Sequence, residues 1–562
     1  MKRPIRRISG LLGCVAAAAV LAACSNGASS NATGASQPAS GGASVNGGTA
    51  TIDMASAPDS LDPQYGYTIE SGEADWITYT PLLTYAHANG EAGTQVIPGL
   101  ATALPVVSNG GKTYTLTLRS GLKFSNGAPV VASDFTYAVE RMLRLNWGGD
   151  SFFTQTVAGA SAYLNGKASS ISGITTDNST GRITIQLTAA YGAFDNLLAF
   201  PAVAPVPAGT AMTNLPTDPP PGVGAYVIKD VIPNQSFELV KNPLFAGFHI
   251  PGIPAGHLST IKVDIVTNTT TEAEEVLDNQ ADNFDAGDTI PTALTSQITS
   301  QAGSRFSLQP VETTYYFFLN QSKAPFNNKL AREAVNLAVD REAFDRLAGG
   351  TINPGCYLLA TGLVGHPTKA CPWGTLNSAN VAQAKSLIKQ AGLVGAPVTV
   401  YGEQVAPVEQ WVEYYTGVLN SIGLKATIKF VDGSTYFPTV GSKTADPQTG
   451  YSAWSEDFPN PVDFYLLVDA NSIQPVGNRD RSYVDDPHIQ SELAKLDLVP
   501  TSQLQSVASQ WSALDYYVAS QADEVVFGYG TAPKFFSNRI NPSTAVFSPI
   551  WYNDWSTWQL SS

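Results

Sequence analysis

Residues 110–145 read GGKTYTLTLRSGLKFSNGAPVVASDFTYAVERMLRL, and the architecture of the chain follows from them. Tyr114, Leu116 and Leu118 alternate with Thr113, Thr115 and Thr117, the pattern of a half-buried antiparallel strand. Ser120-Gly121 turns that strand and Leu122-Lys123-Phe124 gives a short return. Ser125-Asn126-Gly127 is a second tight turn that tolerates positive φ. A helix follows, with Phe135, Ala138, Val139, Met142 and Leu143 on one apolar stripe. Val131 cannot accept a hydrogen bond, so Ser133 is expected to cap this helix. By itself this is a β-meander feeding a surface helix, which many α+β proteins contain.

In its order of turns the stretch resembles the signature of the extracellular solute-binding proteins that feed peptide-type ABC importers. That signature reads tyr-thr-phe-x-leu-arg-x-gly-val-lys-phe-x-asp-gly-x-pro-val-thr-ala-x-asp-val. Working outward, Leu61-Asp62-Pro63, Trp76–Tyr85, Ile97–Ala101, Gly222–Val227 and Val240–Pro243 resemble further segments of the same family, in the same order. A second specific anchor is Phe318–Phe344. There Leu330, Ala331, Ala334, Val335, Ala338 and Val339 form a helical stripe and Asp340 is placed to cap the next helix. Val381–Gly392 reads as another amphipathic helix, and Val398–Tyr401, Glu409–Ile422 and Lys425–Val431 as a β-α-β unit. Phe200–Val206 reads as a buried strand and Thr501–Ser520 as a final helix. The resemblance implies an α/β, two-lobed periplasmic-binding-protein-like fold with an extra α/β subdomain and a hinge between lobes. Its implied boundaries put 48–66, 196–312 and 527–562 in a discontinuous lobe I, 67–195 in the appended subdomain and 313–526 in lobe II.

Residues 1–24 read as a lipoprotein signal peptide. Lys2, Arg3, Arg6 and Arg7 precede a short apolar segment that ends at Leu21-Ala22-Ala23-Cys24, which marks Cys24 as the lipidated residue. The apolar segment is too short to span a bilayer as a permanent helix. Residues 25–47, rich in Ser, Gly, Ala and Asn, read as a flexible tether with a reach of roughly 26 Å. The location this implies is extracytoplasmic, lipid-anchored to the cell membrane. The formal net charge of −15 becomes more negative once the basic leader is removed, which argues against nucleic acid as a partner. Of the four cysteines, Cys356 and Cys371 remain in the mature chain and read as one disulfide. A two-Cys metal site would lack a nearby His pair, His366 standing alone.

Trp454-Ser455-Glu456-Asp457-Phe458-Pro459-Asn460-Pro461 is the stretch most relevant to ligand. In peptide-binding members of the family, a Trp and an Asp three residues later lie in the cleft, and the Asp pairs with the ligand's terminal ammonium. Trp454 and Asp457 occupy those positions. A carboxylate there offsets the cost of enclosing an ammonium. The plainer reading makes Asp457 a turn cap before Pro459 and Trp454 a core residue. The resemblance extends the candidate ligand-binding set to Ser455, Asn460, Tyr67, Tyr316 and Asn478.

An enzyme needs convergent nucleophiles, bases or metal ligands. The five histidines are scattered, no Gly-x-Ser-x-Gly elbow occurs, and glycine-rich imitations of nucleotide loops at 111–113 and 222–227 lack required glycines. Carboxylate pairs such as Glu456-Asp457 leave a cell-surface hydrolase as a lesser alternative. Asp278, Asp282, Asp285 and Asp288 lack calcium-loop spacing and are expected to form a solvated rim. The reading is therefore a non-enzymatic, monomeric solute receptor with no cofactor and no metal. It takes di- or oligopeptides, or alternatively a sugar, nickel chelate or opine, and its partners are an ABC permease with its ATPase subunits. An anchored sensor shares these features.

Overall fold

The computed structural model describes residues 44–562, so the expected signal peptide, the Cys24 lipidation site and most of the tether lie outside the described residues. Near the N-terminal end, Thr49–Met54 forms strand β1 and Ile69–Thr78 helix α1. The opening stretch of the sequence builds a separate four-stranded antiparallel sheet. It is made of β2 (Val106–Ser108), β3 (Thr113–Thr117), β4 (Ile174–Asp177) and β5 (Arg182–Gln186), in the spatial order β2-β3-β5-β4. Tyr114 and Leu116 are buried beneath it as their alternation requires. The 122–124 return is reduced to one bridge, Lys123 to Pro129, although Leu122 and Phe124 are buried.

Helix α2 spans Ala132–Leu145 and buries Phe135, Ala138, Val139, Met142 and Leu143. Its cap corrects the sequence reading. Val131 is the N-cap residue, and the Asp134 carboxylate accepts from its N–H at 2.8 Å. Ser133 lies inside the first turn, where its own N–H donates to Asn178 Oδ1 at 2.9 Å. A carboxylate three residues into a helix can satisfy the N-cap N–H whatever side chain the cap carries. Phe200–Val206 is buried as expected but is not a strand. Pro201–Val203 is a 3₁₀ turn, which suits proline at its first position.

Strand β1 belongs to the main sheet, which has eleven strands. Its remaining members include β6 (Tyr226–Ile232), β7 (Ser236–Lys241), β8 (Thr260–Ile265), β9 (Asn283–Phe284), β10 (Phe306–Leu319), β11 (Pro397–Glu403), β12 (Lys425–Val431), β13 (Thr449–Ser455) and β14 (Glu524–Phe536). They lie in the order β12-β11-β13-β10-β14-β9-β1-β8-β7-β6, with Ile352–Pro354 added on β14. β11 and β12 are parallel, as the predicted β-α-β unit requires, with the crossover helix at Val408–Ser421. Helix Lys329–Ala338 buries its predicted alanine and valine stripe. Asp340 stands at the N-cap of the next helix, but its carboxylate is taken by Arg346 at 2.7 Å rather than by the helix N–H groups. The predicted final helix begins at Ala508, after a 3₁₀ segment at Thr501–Val507.

Two long strands join the halves of this sheet. At one end of β10, Phe306–Pro310 pairs with Thr531–Phe535 of β14; at the other, Thr314–Phe318 pairs with Glu524–Tyr529, and the register shifts between them. Val311–Thr313 bulges opposite Gly530, where an added Cβ would come within 2.9 Å of Thr313 and 3.0 Å of Val311. Pro310 is tolerated because β13 pairs with β10 only from Thr313 onward, leaving that edge open. Cys356 and Cys371 form a disulfide with Cα atoms 6.1 Å apart.

The expected solvated acidic rim forms only in part: Asp278 is exposed and Asp288 half-buried. Asp282 and Asp285 are fully buried. Asp282 accepts from Thr51 N–H and Ser537 Oγ and pairs with Arg539 at 3.0 Å. Asp282 and Asp285 flank β9, which runs between β1 and β14, and this forces their burial; the hydrogen bonds offset it for Asp282.

Candidate functional site

Trp454 and Ser455 are the last two residues of β13, and the turn through Glu456 and Asp457 follows directly. Thr313 and Ser455 face each other at the end of the β10–β13 ladder, their hydroxyls 2.8 Å apart. A short helix, Pro461–Tyr465, begins with Asn460 at its cap and Pro461 at its first position. Asp463 in that helix folds the turn back onto itself. Its Oδ2 accepts from Trp454 Nε1 at 3.1 Å and from Asp457 N–H at 2.8 Å. The Arg479 guanidinium lies 4.7 Å above the Trp454 ring.

Across the gap, the Tyr67 hydroxyl donates to Asp457 Oδ1. Tyr67 is held in turn by its own N–H to Asp59 at 3.1 Å and by an edge contact with Trp147, ring centroids 5.3 Å apart. Phe458 completes the junction against Phe152 and Phe200 at 5.6 and 6.3 Å. Burial pushes the Asp457 carboxyl above the usual carboxylate range, while the Tyr67 hydroxyl and Arg479 pull it back down. Burial, with Asp457 beside it, pushes Asp463 up as well.

Among the candidate residues, the structure brings Trp454, Ser455, Asp457 and Tyr67 to this junction. Tyr316, Asn460 and Asn478 stand elsewhere in role. Tyr316 is fully buried in β10. Asn460 Oδ1 accepts from Val462 N–H as a helix cap. Asn478 is 1% exposed, its side chain held by Asp480 O and Gln474 N–H. Asp463, Arg479 and the aromatic group Trp147, Phe152, Phe200 and Phe458 escaped the sequence reading. Asp463 had a signal, being an acid in the first turn after an Asn-Pro helix start; the others had none.

Two cavities flank the turn. The larger, about 640 Å³, runs over the β10–β14 crossing and is lined by Glu70 and Asp288 on one side and Tyr315, Trp411 and Ser455 on the other. The smaller, about 70 Å³, is lined by Tyr67, Asp75, Trp147, Glu456, Asp457 and Trp551 among others. Neither lining includes a Lys, Arg or His.

Residues 95–474 match the family described as bacterial extracellular solute-binding proteins, family 5. The chain belongs to this family. Within it, the chain is 24% identical over 453 residues to the probable deoxycholate-binding periplasmic protein YgiS of Escherichia coli K12, covering 75% of this chain and 78% of that one. It is 28% identical over 362 residues to the glutathione-binding protein GsiB of Salmonella typhi, a match spanning 62% of this chain and 64% of that protein. The structure superimposes on clavulanic acid biosynthesis oligopeptide binding protein 2 with a TM-score of 0.85 at 22% identity, over 93% of this chain and 97% of that one. These likenesses establish the two-lobed α/β fold of an extracytoplasmic solute-binding protein, with a binding rather than catalytic role.

Proposed function

We propose that this family 5 solute-binding protein captures peptides outside the membrane and hands them to an ABC permease driven by ATPase subunits. The observation that carries the reading is Asp457, a carboxylate facing a cavity whose lining brings no basic residue. Enclosing an ammonium there is favourable because a carboxylate already waits for it. The oligopeptide-binding name of a fold neighbour and the glutathione-binding name of a relative support the same class. The deoxycholate-binding name of another relative points to an anionic ligand. The acidic linings of both cavities disfavour one here.

In this reading Trp454, Asp457, Ser455 and Tyr67 contact ligand. The β10 and β14 crossings serve as the hinge between lobe I (48–66, 196–312 and 527–562, with the appended 67–195) and lobe II (313–526). The receptor works as a monomer held to the membrane by a lipid on Cys24. Replacing Cys24 with Ala then releases a folded protein from membranes. Mass spectrometry of small molecules retained by the purified protein tests the ligand class: peptides support it, and a sugar, metal chelate or bile acid would overturn it.

A further inference from the structure

The small cavity is lined by more carboxyl groups than one terminal ammonium needs. Asp75 projects from Ile69–Thr78, is 2% exposed, and leaves its Oδ1 with no hydrogen-bond partner. Glu456 lines the same cavity with both carboxylate oxygens shut off from solvent and unpartnered. Behind it, Glu456 N–H donates to Glu312 O at 2.9 Å, which sets Glu456 opposite a third buried acid whose Oε2 is also unpartnered. Like charges opposite one another across strands are destabilising unless something neutralises them. Gly362 leaves room for this arrangement, since an added Cβ would lie 2.4 Å from Glu312 Oε1. The other walls are aromatic: Tyr67, Trp147, Phe200 and Trp551.

We propose that this cavity recognises a cationic group of the ligand, an ammonium or guanidinium carried in addition to the terminal ammonium assigned to Asp457. Unpartnered carboxylates answer its N–H groups and the aromatic faces favour its charge. Buried polar groups without partners are rare enough in folded proteins to need an explanation, and a cation arriving with the ligand supplies one. An organic cation fits better than a metal ion, because among the described residues no three His, Cys, Asp or Glu side chains are placed to hold one. Burial holds Glu456 and Asp75 well above the usual carboxylate range, each raised further by neighbouring acids. These are Glu312, Asp463 and Asp457 for Glu456, and Asp62 and Asp59 for Asp75.

The inference rests on the peptide reading for the position of the cation, and calorimetry separates the two. The probes are Lys-Ala-Ala, its isosteric norleucyl counterpart Nle-Ala-Ala, and agmatine, a guanidinium without a peptide. The proteins are wild type, Glu456→Gln and Asp75→Asn, each first shown to melt cooperatively. The lysyl peptide should bind wild type about tenfold or more tightly than the norleucyl one, as a hydrogen bond to a charged group implies. Either substitution should shrink that ratio. Equal affinities in wild type, or a ratio unchanged in both variants, would overturn the cation site while leaving the peptide reading intact. Binding of agmatine but of neither peptide, weakened by Glu456→Gln, would uphold the cation site and remove the peptide reading. Failure of all three probes to bind would overturn the site.

Discussion

The Tyr67 hydroxyl donates to the Asp457 carboxylate, joining residues 390 positions apart in the sequence. Tyr67 is 41% exposed, so one side of this contact is open to water, while Asp457 is half-buried. The hydrogen bond favours the charged carboxylate, opposing the burial that disfavours it.

Tyr67→Phe should therefore raise the Asp457 pKa further. Binding of an ammonium by Asp457 requires the carboxylate and is lost as pH falls through its pKa. In the Phe variant that loss should begin at a higher pH. Peptide affinity measured across the acidic range for both proteins checks this, and superimposed acid limbs would contradict it.

Arg141 is fully buried in helix Ala132–Leu145 and grips Asp62 with two hydrogen bonds of 2.6 Å. Its other N–H groups go to Gln64 Oε1 and to the carbonyls of Ala211 and Thr213. Arg141→Met leaves Asp62 buried and unpaired, and should cost about 3–5 kcal/mol in denaturant unfolding. Adding Asp62→Asn to that variant should recover part of the loss.

Asp53 and Glu312 are pushed up to about 8 by burial, with neighbouring Glu275 and Asp264 adding to the first, and Asp515 is pushed up to about 7. Such groups titrate near 4 when unfolded. Between those values the folded state binds more protons than the unfolded one, so stability falls as pH rises through that window. The melting temperature should decline from pH 5 to pH 8. A maximum at pH 8 would mean these acids find compensation beyond their present neighbours.

Reduction of Cys356–Cys371, which closes a separation of 15 residues, should cost about 3 kcal/mol of stability. Ligand affinity should be unchanged. Thermal melts and titrations with and without reductant test both halves of this statement.

Much of the fold was legible because its elements are locally patterned. The Thr113–Thr117 alternation, the Ala331–Ala338 stripe and the Val400–Ile428 parallel pairing all follow from side-chain period and turn chemistry. What the sequence concealed depended on contacts between distant segments. Asn178 reaches Ser133 from another strand pair, and Asp282 is buried only because Thr51 and Ser537 flank it. At the site, Trp454 and Asp457 stood out through their resemblance to peptide-binding members of the family, and Asp463 could have been read from the helix start beside it. Asp75 sits among apolar neighbours on a buried helix, and nothing local marks it as a cavity wall. Tyr316 and Asn478 illustrate the converse: residues near the site in sequence or strand can turn their side chains into core.

The most direct measurement is a calorimetric cycle on wild type and Asp457→Asn, each with a free peptide and its N-acetylated form. If Asp457 pairs with the terminal ammonium, either change alone should lower affinity by about two to three orders of magnitude, as for a buried ion pair losing one partner. The two together should cost little more than one. Additive losses, or an Asp457→Asn protein that binds free peptide as wild type does, would contradict the assignment.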